Sequence, residues 1–293
     1  MTKRLLPLGM LLLLATSLIF TSCRNNEDEL TPTTNVNAND FTNGKEALRM
    51  EMPHLRGAVV DMFLVKRISN GDINYCIEWD IVKKAQRWTA FRWDDSNSGG
   101  YVKRDDNFQE DTDIPLDYRT TYDNYRGSGY TRGHICASAD RWYDTEANRQ
   151  TFLYSNMQPQ LYDFNGGIWA NLEMKVRTWN TPSFRDTLYV CKGGTIDHSS
   201  DIIEVTPTGL IVPKYFFMAI LCKNSSPTNG GYKAIAFWLE HRDDYADDKN
   251  LRPYIISVDR LEELTGIDFF CNLPDIIEQQ VESNVTATAW GFQ

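Results

Sequence analysis

Cysteine is scarce in this chain, with six in 293 residues. That is too thin for a disulfide scaffold. Basic residues are in the minority, 30 Lys and Arg against 40 Asp and Glu, for a formal net charge of −10. Domains held to nucleic acid by bulk electrostatics read basic, so the balance argues against that class. No heptad or Gly-X-Y period is present, which excludes a long coiled coil and a collagen. After the first twenty residues no apolar run reaches the roughly 20 residues of a spanning helix. What is there is 42% hydrophobic and 12% aromatic, too much for a chain disordered throughout. The length suits one large or two small domains, either with a sizeable core.

The first residues read as an address. Lys3 and Arg4 precede an uncharged apolar run from Leu5 to Phe20, too short to span a membrane but suited to a signal peptide. The run ends in Phe20-Thr21-Ser22-Cys23, which resembles a bacterial lipobox. The resemblance implies a lipoprotein signal over 1–22, cleavage before Cys23 and lipid on that cysteine. The protein would then be exported and anchored to a membrane without spanning it. Residues 23–48 include Asn25-Asn26-Glu27-Asp28-Glu29 and lack apolar periodicity, so they read as an acidic, solvated tether. One domain fills 49–293.

Within that domain, Phe63–Ile68 and Ile73–Val82 read as strands joined by an Asn70-Gly71 hairpin signal. Trp88–Trp93, Leu188–Cys191, Tyr215–Cys222 and Tyr232–Leu239 are further strand candidates. Ile168, Leu172 and Val176 recur at i, i+4 and i+8, which predicts a helix over 166–178. Ser257 can cap a helix running to Leu264, with Gly266 beyond its end, and Pro274 can open a last helix to about Val281. Strands and helices mix without strict alternation, which predicts an α+β fold: a mixed or antiparallel central sheet with flanking helices.

Four His in the whole chain make each one informative. His54, His198 and His241 sit where solvated or structural roles are expected. His134 differs, because it ends Thr131-Arg132-Gly133-His134. Residues two apart on a strand share a face, so Arg132 and His134 can address one reacting group. Neutral imidazole takes a proton near pH 7, and Arg holds a phosphate.

The next segment carries Asn156, Pro159 and Gln160, then Asn165, Gly167, Trp169, Leu172, Glu173 and Arg177. With Arg132-Gly133-His134 this resembles the DNA/RNA non-specific endonucleases of the ββα-metal (His-Me finger) type. The resemblance extends over about residues 70–285 and implies a ββα-metal finger and metal-dependent hydrolysis of DNA or RNA. It implies His134 as the base that activates water. It implies Asn165 as the protein ligand of Mg²⁺ or Mn²⁺, with Glu173 on the metal's waters. Asn156 would orient His134 or the water cluster, and Arg132 and Arg177 would stabilise the phosphate. Arg104, before Asn107-Phe108, would be a further substrate contact. The family's leading Asp is Thr131 here, which puts the support of the motif loop in question.

Beyond Cys23 remain Cys76, Cys136, Cys191, Cys222 and Cys271, an odd number that permits at most two disulfides; buried free thiols are the alternative. Two other function classes stand beside the nuclease. One is an inactive lipoprotein on the same fold. The other is a glycan-directed surface protein, suggested by eight Trp and fourteen Tyr, although no carboxylate pair stands out for glycoside hydrolysis.

Overall fold

The structure is a computed structural model that describes residues 34–226 and 231–293. Its strands are β1 (Asp61–Arg67), β2 (Ile73–Asp80), β3 (Ala85–Trp93), β4 (Thr131–His134), β5 (Met157–Gln160), β6 (Thr187–Gly194), β7 (Ile202–Val205), β8 (Ile211–Pro213), β9 (Tyr215–Asn224), β10 (Gly231–Glu240) and β11 (Ile255–Ile256). Its helices are α1 (Tyr122–Tyr125), α2 (Thr145–Gln150), α3 (Tyr162–Phe164), α4 (Ala170–Trp179), α5 (Val258–Thr265) and α6 (Asp275–Glu282). A seven-stranded antiparallel sheet runs β1-β2-β3-β6-β9-β10-β11, and β4-β5 and β7-β8 form separate antiparallel pairs.

Strand β9 shows how the sheet is covered. It is apolar from Phe216 to Cys222, a pattern a strand adopts when both faces are buried. Phe216, Met218, Ile220 and Cys222 enter one hydrophobic cluster, with Leu172, Val176 and Trp179 of α4. Phe217, Ala219 and Leu221 enter the other, with Val258 and Leu261 of α5. The sheet is therefore a middle layer. The finger strands and α4 lie on one face, and α5 and α6 on the other.

The α+β expectation holds. The predicted hairpin forms: β1 and β2 pair in antiparallel register, and Gly71 takes the positive φ of 90° that its turn needs. Ser257 accepts from the Arg260 N–H at the start of α5, and Gly266 closes it in the left-handed region. Two expectations need correction. The helix predicted from Gly166 begins regularly only at Ala170, because Gly167 is non-helical (φ −99°, ψ −109°). The tether does not run to residue 48. Asn35 Nδ2 donates to the Cys271 and Leu273 carbonyls, Asn39 is buried and donates to the Ala47 and Pro53 carbonyls, and Ala47 and Met52 lie in the core. Side-chain amides fasten this stretch in place of apolar periodicity. The five cysteines described are free and buried. Cys23 and the signal segment lie outside the described residues, among which no helix is long and apolar enough to cross a membrane.

Candidate active site

Strands β4 and β5 lay the two sequence motifs side by side. Thr131 pairs with Gln160, Arg132 with Pro159, Gly133 with Gln158 and His134 with Met157. The pairing requires Gly133, since a Cβ there would collide with the Gln160 side chain. Arg132 and His134 share one pocket of about 340 Å³ with Arg104, Phe108, Thr131, Asn165 and Glu173.

The His134 imidazole stands edge-on to Phe152, with ring centroids 4.9 Å apart, and to Phe108 at 5.7 Å. The residue keeps a partly exposed edge, but its Nε2 is shut from solvent and has no hydrogen-bond partner. Burial lowers its pKa to about 3; Arg104, Arg132 and Lys192 act in the same direction, against Asp106. The ring is therefore neutral near pH 7, the protonation state a general base must start from. The Arg132 guanidinium lies 3.8 Å over the Phe108 ring, and that of Arg104 lies 4.8 Å over Phe152. Stacking holds both cations at the pocket while leaving N–H edges for an anion. Arg104 also donates to Asp106 at 2.5 Å.

Asn165 opens the distorted turn that precedes α4. Its Nδ2 donates to Thr131 Oγ1 at 3.0 Å, and that hydroxyl donates to the Gln160 carbonyl at 2.9 Å. With its nitrogen engaged, Asn165 offers the pocket its amide oxygen, a hard ligand. Thr131 thus fixes which way Asn165 faces. The backbone N–H of Asn165 donates to the Leu161 carbonyl at 2.9 Å, and the Leu161 N–H donates to His241 Nε2 at 2.8 Å. On the other side of that ring, Nδ1 donates to the Pro213 carbonyl at 2.8 Å. Burial lowers the His241 pKa to about 4, with Pro213 and Asp243 opposing. His241 is structural, as expected, and it anchors the turn that carries Asn165.

Glu173 is buried one helical turn into α4 and bonded to Lys192 Nζ at 3.1 Å. Lys192, also buried, reaches Asp140 Oδ2 at 3.1 Å, and Asp140 Oδ1 takes Arg177 Nη1 at 2.7 Å. Burial raises the Glu173 carboxyl and Lys192 only partly offsets it. Burial also acts to raise Asp140, but Lys192 and Arg177 more than reverse it, and its pKa falls below the ordinary value. The result is an alternating chain of two cations and two carboxylates beneath the pocket.

The structure therefore brings His134, Arg132, Arg104, Asn165 and Glu173 together. It does not bring Arg177 to the pocket, because its guanidinium is on Asp140. Asn156 does not reach the imidazole either. It is fully buried, its Oδ1 accepts from the Cys136 N–H, and its Nδ2 donates to the Cys136 and Thr151 carbonyls. Asn156 fastens the backbone just beyond His134. Sequence reasoning missed Asp140 and Lys192. The available signal was a lysine inside the apolar strand Leu188–Gly194, on the same parity as Leu188 and Val190.

A model of the DNA/RNA non-specific endonuclease family matches residues 68–276. The chain belongs to this family. It is 34% identical over 218 residues to a nuclease of Nostoc sp., covering 72% of this chain and 76% of that protein. It is 28% identical over 211 residues to the mitochondrial nuclease EXOG of Xenopus laevis, covering 69% of this chain but 58% of the relative. A solved EndoG/EndoGI complex contains a chain of the same fold, with a TM-score of 0.62 and 21% identity over 74% of this chain and 90% of that one. Membership makes the protein a hydrolase acting on nucleic acids and favours the nuclease reading over the inactive and glycan-directed alternatives. Glu173 is the only carboxylate among the residues lining the pocket, whereas glycoside hydrolysis ordinarily uses two.

Proposed function

We propose that this pocket hydrolyses phosphodiester bonds of DNA and RNA with His134 as general base and a Mg²⁺- or Mn²⁺-class cation held through Asn165. The carrying observation is a neutral, unpartnered imidazole in the same pocket as Asn165 and Glu173, between two stacked arginines. The donor set fits such a cation: an amide oxygen turned outward by Thr131 and a carboxylate behind it, with no sulfur or second imidazole lining the pocket. When bound, the cation neutralises charge on the scissile phosphate and the leaving oxygen. His134 takes a proton from the attacking water as the new P–O bond forms and the old one breaks. Arg132 and Arg104 hold the phosphate. No base sequence is preferred, because these contacts address the backbone rather than base edges; discrimination between DNA and RNA would need a reader of the 2′-OH.

The test is plasmid nicking with Mg²⁺ and with EDTA, repeated on an RNA substrate. Wild type cuts both with Mg²⁺ and stops in EDTA. His134→Ala loses about 10²–10⁴-fold, and Asn165→Ala loses metal-dependent cutting with an unchanged far-UV spectrum. A wild-type rate in His134→Ala would remove it as the base.

We further propose that the protein is exported and lipid-anchored at Cys23. Its support is the basic start, the apolar run to Phe20 and Cys23 itself. Cys23→Ser is expected to move the protein from the membrane pellet to the soluble fraction; retention in the pellet would refute the anchor.

A further inference from the structure

On the sheet face away from the pocket, α5 and α6 bring acidic groups together without a cation. Asp259 and Glu262 are three apart on α5, so they share a side of that helix. Glu282 is the last residue of α6. Oxygens of these three side chains lie within 4.8 Å of one another. Asp268 and Glu278 stand beside them, bridged by Asn37 Nδ2. Among the described residues no lysine or arginine forms an ion pair with any of the five; Arg260 turns instead to Glu263, at 2.5 Å. The one cationic candidate nearby, His54, acts on Asp268.

Glu282 is the decisive group. It is 3% exposed, and its Oε1 has no hydrogen-bond partner among the described residues. It also sits at a helix C-terminus, where the macrodipole opposes negative charge. A buried carboxylate in that setting is costly unless a positive charge meets it.

We propose that Asp259, Glu262 and Glu282 form a second cation site, separate from the nuclease pocket, that takes a calcium-class ion and ties α5 to α6. The donors are all carboxylate oxygens, the hard ligands such an ion prefers. Oxygens bound to one Ca²⁺ stand at most about 5 Å apart, a limit the cluster meets, and flexible coordination with added waters suits a three-residue set better than the tight octahedron of Mg²⁺.

The test is thermal unfolding of the full-length chain stripped with EGTA, then titrated with CaCl₂. At a hundredfold excess over Kd, calcium is expected to raise Tm by roughly 5 °C. Glu282→Gln and, at the rim, Asp259→Asn should each abolish the shift, while Asn165→Ala should keep it. No shift in wild type, or a full shift in both cluster variants, would overturn the proposal. So would loss of the shift in Asn165→Ala, which would put the ion in the nuclease pocket. Because the nuclease reading is judged by nicking and this one by Tm, either can fail alone.

Discussion

The two faces of the sheet bury charge in opposite ways. Beneath the nuclease pocket, carboxylates and cations alternate: Arg177, Asp140, Lys192, Glu173. The sheet itself supplies the central cation, because Lys192 projects from β6 on the parity of the core residues Leu188 and Val190. Behind the sheet, α5 meets it through Val258 and Leu261 and α6 through Ile277 and Val281, and the two turn carboxylates toward one another with no lysine or arginine paired to them among the described residues. A charge can be buried where its partner is built into the scaffold. Where it is not, the balance must come from solution, as protons or as an ion.

The sharpest contrast comes from removing the built-in partner. Lys192→Met strands Glu173 and leaves Asp140 with Arg177 alone, and a broken buried pair costs roughly 3–5 kcal/mol. A Tm drop far beyond that of any single neutralisation in the α5–α6 cluster is expected, with nicking impaired because Glu173 loses its hold.

Next in size is the response to pH, which carries opposite signs on the two faces. His134 and His241 have folded pKa values of about 3 and about 4, below the ordinary 6.5. Their contribution is therefore whole above 6.5 and lost as pH falls toward 4. Glu278 and Glu262 are raised by burial, to about 7 and about 8, with Asp268 and Asp259 adding to both. Their contribution is whole below about 4.5 and lost as pH rises through 7 and 8. Tm against pH in EGTA should show both limbs, and calcium should flatten only the alkaline one.

The smallest effect is local. Thr131→Val removes the hydroxyl that turns Asn165, and outer contacts of this kind are worth about tenfold or more in metal affinity or rate. The Mg²⁺ dependence of nicking should shift by about that factor, Thr131→Ser should restore it, and Tm should barely move.

Much of this was readable from the chain. The Asn70-Gly71 hairpin, the doubly buried β9 and the Ser257–Gly266 helix each carry their own local signal. So do the motifs around His134 and Asn165, whose residue types already fit the chemistry. What escaped depends on registers that no local pattern encodes. Parity could show that Lys192 faces the core, but not that Glu173 and Asp140 wait there. Asn156 was expected to orient His134 or the water cluster, yet its three side-chain bonds all go to backbone. Residues 35–48 have no periodicity because amide side chains rather than apolar ones hold them.

The fastening at Asn35 also sets a geometry. It joins the chain's beginning to the Cys271–Leu273 stretch that leads into α6, on the side of the sheet opposite His134. With lipid on Cys23, about twelve residues would separate the anchor from this knot, a leash of at most about 40 Å. A lipid on Cys23, as proposed, would thus attach on the side of the sheet away from the His134 pocket and leave that pocket's mouth unobstructed by the anchoring point.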